Sequence, residues 1–191
     1  MVFDGIILSL IVGFFRKGNL KGLSSLKLKW GWIFPVLLAM EVFMFLFQNN
    51  FKILGQASGL IYMLVYIAGL VFLFINRKQT GFIWILIGVF LNFFVMALNG
   101  GRMPVSEQAA SILDPSYYEA LKGSLYAKHQ ALTESTKLGF LGDIIPLTKP
   151  YPRTQVISIG DIIMNIGIFL FIQSLMVHPS KDKKVKISNS I

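Results

Sequence analysis

The sequence predicts an all-α membrane protein: five transmembrane helices with a mostly helical extracytoplasmic loop capping the outer end. Three observations predict it. Of 191 residues, 54% are hydrophobic and the mean hydropathy is +0.66, whereas soluble domains run at about 45–50% apolar. The apolar residues gather into five runs, at 1–15, 31–47, 53–75, 82–98 and 158–177, and a spanning helix needs about 20 such residues. The lysines and arginines collect between the runs, as topology signals do.

The first run is short, and Arg16 and Lys17 follow it rather than precede it. It therefore reads as a span with snorkelling flanks and not as a cleavable signal peptide. In "GNLKGLSSLKLKW", Leu20, Leu23 and Leu26 recur every third residue with lysines between them. An interfacial helix and a basic loop both fit that pattern. Trp30 and Trp32 suit the aromatic belt at the start of the second run.

The loops orient the chain. Arg16, Lys17, Lys21, Lys27 and Lys29 precede the second run, Lys52 alone separates the second from the third, and Arg77 and Lys78 separate the third from the fourth. This alternation places the N-terminus outside and the C-terminus in the cytoplasm. Residues 178–191 form a basic cytoplasmic tail, whose "KDKKVK" is expected to lie on anionic headgroups. The loop 99–157 then lies outside. "VSEQAASIL" reads as a short helix. "DPSYYEALKGSLYAKHQAL" reads as another, with Asp114 as N-cap and Pro115 at its first position. "PLTKPYPRT" holds three prolines and reads as extended. The chain reads as a single integral membrane domain, 1–191, of a bacterial cytoplasmic (inner) membrane.

Composition excludes several chemistries. There is no cysteine and there are two histidines, so thiolate chemistry is absent and no metal centre or cofactor is expected. The formal charge of +9 comes without a nucleic-acid module, so no nucleic-acid partner is expected. "LNGGR" lacks phosphate-loop spacing. The expected partners are the lipid bilayer and a lipid or small-molecule ligand.

Polar side chains inside hydrocarbon are costly and are candidates for function. With this topology Asp4, Glu41, Gln56, Asn92, Asn99, Asp161 and Asn165 all fall in the outer half, and the cytoplasmic halves are almost wholly apolar. Asn165 follows Asp161 by four residues and shares its helix face. Gly100 and Gly101 permit a turn that aims Arg102 back over the bundle as the expected counter-ion of Glu41 and Asp161. The tetrapeptide Gly142-Asp143-Ile144-Ile145 returns as Gly160-Asp161-Ile162-Ile163. Pro146 follows the first copy and disfavours a helix there, so Asp143 is expected to brace the loop, by backbone amides or by Arg102. Asp161 opens the last run and is expected to line an outer pocket. Both aspartates also suit helix N-caps.

"LNGGRMPVS", "FLGDIIPL" and "ISIGDIIMNIGIFLFI" together resemble a family of small bacterial membrane proteins known only as a domain of unknown function, the DUF5317 group. The resemblance covers about 92–172, implies a bacterial inner-membrane protein and brings no activity with it. "ISIGDIIMNIGIFLFI" also looks like the last transmembrane helix of lipoprotein signal peptidases, with Asp161 and Gly167 at matching positions. Those enzymes activate water with two aspartates. This chain departs from them in its five spans and in the helix ending "LNGGRMP", which carries no aspartate.

The expected function is a membrane binding or accessory protein with a polar pocket in the outer leaflet for a small solute, ion or lipid headgroup. Its binding residues would be Asp161, Asn165, Glu41, Arg102, Asn92, Asn99 and Asp4. The alternatives are an intramembrane aspartyl hydrolase using Asp143 and Asp161, and a transporter component. A transporter would place its polar groups near the midplane.

Overall fold

A computed structural model describes residues 2–24, 26–47, 51–113, 115, 119, 121 and 128–177. It is mostly helical. The five apolar runs form α1 (Val2–Phe15), α3 (Ile33–Phe47), α4 (Lys52–Ile75), α5 (Phe82–Leu98) and α7 (Ile159–Val177). Two segments, Ile53–Ile75 and Ile159–Val177, are long and apolar enough to cross a membrane, and three shorter apolar helices accompany them. The ends match the sequence reading within two residues, because charge clusters and glycines bound each run.

The principal contacts run in the order α3, α4, α5, α7, α1. Glycines set the registers. A Cβ added at Gly88 of α5 would collide with the carbonyl oxygen of Gly160 in α7, and one at Gly81 with that of Gly167. The two helices are therefore antiparallel and nearly touch along their backbones. Asn165 fills the space beside Gly5 of α1, and Met176 the space beside Gly13, so α1 runs parallel to α7. Small residues permit this approach. Two apolar clusters lie within the bundle. One joins Met44, Tyr62, Val95 and Met96 to Met103, and the other packs Phe72, Leu73 and Phe82 with Phe171.

One end of the bundle carries a cap. Gly100 and Gly101 take positive φ, +72° and +78°, and turn the chain into β1 (Met103–Val105). Next comes the one-turn α6 (Glu107–Ala110), capped by Ser106, whose Oγ accepts from Ala109 N. β2 (His129–Ala131) pairs parallel with β1. β3 (Ile145–Leu147) pairs antiparallel with β4 (Gln155–Ile157), so "PLTKPYPRT", expected to be extended, is strand only at Pro146 and Leu147 and otherwise makes the turn between the two strands. Val105, Ala110 and Leu121 form the cap's own small core.

One sequence expectation changes here, and one that the sequence left open is decided. The second cap helix was expected to continue through "KHQAL", but 129–131 is a strand, because the free edge of β1 recruits its backbone. Of the rest of that expected helix, Pro115, Glu119 and Leu121 are helical and Lys128 lies in a turn, while its other residues, with Asp114, lie outside the described residues, as does the tail 178–191. The segment after α1 is mostly loop, with a single turn of helix, α2 (Lys21–Ser24). It is held by the backbone, Asn19 N donating to Met176 O at 3.0 Å, rather than by an amphipathic face.

Candidate functional site

The polar side chains converge at the cap end, where α4, α5 and α7 meet the cap. Asp161 stands in the first turn of α7. Its Oδ1 accepts from Asn92 Nδ2 at 3.0 Å and its Oδ2 from the Ser158 backbone N at 3.2 Å. Ser158 Oγ accepts from Asp161 N at 3.0 Å and donates to Asn92 Oδ1 at 2.8 Å. Ser158 and Asp161 thus form a reciprocal capping box, with Asn92 of α5 bridging both members. The box satisfies the free amides at the start of α7 and ties α7 to α5. Asn165, one turn on, donates Nδ2 to Asp161 O at 2.8 Å, and its buried Oδ1 has no hydrogen-bond partner among the described residues.

Asp143 is buried, 8% exposed. Its backbone N donates to Pro104 O at 2.9 Å and its carbonyl accepts from Ser106 N at 3.0 Å, so it forms a bridge beside β1 at Val105. Asp143 Oδ2 lies 3.5 Å from His129 Nε2. Its Oδ1 is buried without a hydrogen-bond partner among the described residues. The charge of Asp143 acts on Asp161, so the two GDII aspartates are electrostatic neighbours despite their different elements.

Glu41 meets Lys128, Nζ to Oε1 at 3.4 Å. Lys128 Nζ also stands 5.5 Å from the Tyr62 ring centroid and 6.0 Å from that of Tyr66, within cation–π range. Burial alone would lower the Lys128 pKa. The Tyr66 and Tyr62 oxygens and the Glu41 carboxylate outweigh it, and the lysine is held above its ordinary value. The side chain keeps 30% of its surface, so water screens much of the pair.

The other expected residues separate. Asn99 is fully engaged in pinning the cap: its Nδ2 donates to Val95 O and Lys137 O, and its Oδ1 accepts from Lys137 N at 2.9 Å. Asp4 accepts from Gln155 Nε2 at 3.2 Å, linking α1 to β4. Gln56 is exposed. Arg102 is half-buried, but the counter-ion of Glu41 is Lys128 and the side chain beside Asp143 Oδ2 is His129. The two-glycine turn leads the chain straight into β1, and Arg102 immediately precedes that strand.

Lys128, His129, Tyr62, Tyr66 and Ser158 were missed by the sequence reading. Ser158-x-x-Asp161 is a legible capping-box signature, and Tyr62 and Tyr66 stand one turn apart on α4. Nothing local marks Lys128. A cleft of about 300 Å³ opens in the cap beside Asn99, Gln130 and Thr133. A larger apolar one, about 480 Å³, lies far from the polar cluster, between α4 and α5.

Comparison with known proteins places the chain among relatives of undetermined role. It is 42% identical over 96 residues to an uncharacterized protein of Thermotoga maritima, a match covering 50% of this chain and 52% of that protein. The chain thus spans about half the length of the curated relative it matches. No solved structure matches it. The model of DUF5317, a family of unknown function, matches residues 25–173, and the chain belongs to that family.

Proposed function

We propose that this protein is a five-span integral protein of a bacterial cytoplasmic membrane, N-terminus outside, with a one-sided site at its capped outer end for a cation or a cationic lipid headgroup. The membrane reading draws on the bundle surface. Large apolar side chains are exposed on every long helix, among them Phe14, Phe34, Leu60, Phe90 and Ile166, far beyond the patches a monomer shows to water. The alternating directions of the helices fit the alternating basic loops.

Asp143 Oδ1 carries the binding reading. It is a buried carboxylate oxygen with no donor among the described residues, beside a second carboxylate. An unmet buried acceptor costs about 1–3 kcal/mol, more when charged, unless a ligand or water supplies a donor. His129 stands beside the other oxygen of Asp143, and Lys128 is taken by Glu41. A carboxylate oxygen left without a donor favours a positively charged guest. Asn92, Ser158 and Asn165 hold Asp161 in place for it.

The second reading, an intramembrane aspartyl hydrolase, draws on the effect of the Asp143 charge on Asp161. Against it, both Asp161 oxygens already accept hydrogen bonds within the capping box, whereas a dyad needs a carboxylate free to take a proton from water.

The test is a titration of nanodisc-embedded protein with sodium, ammonium or ethanolamine at constant ionic strength, followed by thermal midpoint. A saturable rise is expected for at least one probe, with stabilisation of about 2.7 kcal/mol at a hundredfold excess over Kd. The rise should vanish in D143N. No saturable shift with any probe, or an undiminished shift in D143N, overturns the cation site.

A further inference from the structure

The end opposite the cap carries a second set of features that the outer site does not use. An apolar cleft of about 480 Å³ runs between α4 and α5, lined by Leu70, Val71, Phe74, Leu86, Ile87 and Phe90. It occupies the half of this helix pair nearest the 76–81 connection, since Phe74 ends α4 and Leu86 lies near the start of α5. Four of its lining residues remain 40–53% exposed. At its mouth stands Arg77. Its guanidinium lies 4.1 Å over the Phe74 ring, and Nη1 donates to Phe74 O at 2.9 Å. Lys78 follows, exposed.

Asn76 brings further cations to the same place. Its Nδ2 donates to Lys29 O, and its Oδ1 accepts from Lys29 N, both at 2.9 Å. This two-point clasp by a buried side chain fastens the segment carrying Lys27 and Lys29 beside the 76–81 connection. Neither 16–32 nor 76–81 contains an acidic residue. All three tryptophans of the chain stand at this end: Trp30, Trp32 and Trp84, 46–67% exposed. Such rings settle at headgroup level.

We infer that the α4–α5 cleft, with Arg77 and Lys78 at its mouth, is a site for one anionic phospholipid. An acyl chain lies along Leu70, Phe74, Leu86 and Phe90, and the phosphate meets Arg77 and Lys78. Arginine suits this role because its planar donor set matches phosphate oxygens. The Phe74 contact holds the guanidinium at the cleft mouth before the lipid arrives. Charge complementarity selects the occupant: a zwitterionic lipid brings no net charge to a mouth made only of cations. The inference rests on the membrane reading above but not on the outer site.

The test uses the full chain with W30F and W32F, which leaves Trp84 as the only tryptophan, one turn before Ile87. The protein is reconstituted in bilayers containing phosphatidylglycerol or phosphatidylcholine with brominated acyl chains, and quenching of Trp84 is read. Brominated phosphatidylglycerol should displace unlabelled phosphatidylcholine with a preference of about fivefold for each cation engaged. The preference should fall towards unity in R77Q/K78Q and persist in K21Q, a change on α2 that leaves the mouth cations in place. Equal quenching by both lipids overturns the site while leaving the membrane reading intact. So does a preference unchanged in R77Q/K78Q, or one lost equally in K21Q. Quenching by neither lipid overturns the membrane reading and the site with it.

Discussion

Asp161 and Asp143 share a tetrapeptide but hold different positions in the fold. Asp161 accepts from Asn92 and Ser158. Asp143 uses its backbone to hold β1 and α6 and leaves one carboxylate oxygen unmet. Substitutions should therefore separate the two roles. Asn92→Leu strips a donor from Asp161 and an acceptor from Ser158 at once, and should cost about 1–3 kcal/mol for the groups left unpaired. D161N keeps one of the two acceptors and sets an NH2 against the donor that the other oxygen met, and should cost about 1–3 kcal/mol. D143N should change stability little, because its backbone bonds survive, while removing the cation response. Thermal unfolding followed by tryptophan fluorescence ranks the three. Equal losses would mean that Asp143 is a structural brace like Asp161.

At the scale of elements, the contact of α5 with α7 is made by glycines at both ends. Gly88 meets Gly160 and Gly81 meets Gly167, in each case backbone against backbone. A side chain there cannot be absorbed by moving another side chain. Gly88→Leu and Gly160→Leu should each destabilise by 3 kcal/mol or more (roughly the top of the overpacking range), because whole helices must part. Gly69 in α4 is the contrast. A Cβ there would meet only Leu37 Cδ1, at 3.9 Å, an ordinary contact. Gly69→Ala should be neutral or stabilising by up to about 1 kcal/mol, since alanine favours helix. Melting midpoints of the three variants in one detergent check the ordering. A Gly88→Leu variant as stable as Gly69→Ala would show that the helices are not in van der Waals contact there.

For the whole molecule, the polar cap and the basic collar at opposite ends of an apolar bundle define a direction across a membrane. The cap should lie outside. Single cysteines placed in this cysteine-free chain report it: S135C, in the cap, should react with an impermeant maleimide on intact cells, and K78C should react only after permeabilisation. The reverse pattern would invert the protein and move the anionic-lipid site to the outer leaflet.

The sequence by itself determined the five apolar helices and their ends, because apolar length is additive. Each residue contributes its own transfer free energy wherever its neighbours lie. It also placed Asn92, Asp161 and Asn165 toward one end, since depth follows from position along each run, although buried Asn76 and Gln173 lie toward the other. The capping box was legible in Ser158 and Asp161, which are three residues apart. What only the tertiary structure decided is which groups meet. Asn92 finds Asp161 across 69 residues, and Glu41 finds Lys128 rather than Arg102 across 87. The β1–β2 pairing that replaces an expected helix also sets Lys128 and His129 over the bundle. A hydrogen bond or ion pair depends on separations of a few ångströms, and those are fixed by the packing of whole elements, not by the spacing of residues along the chain.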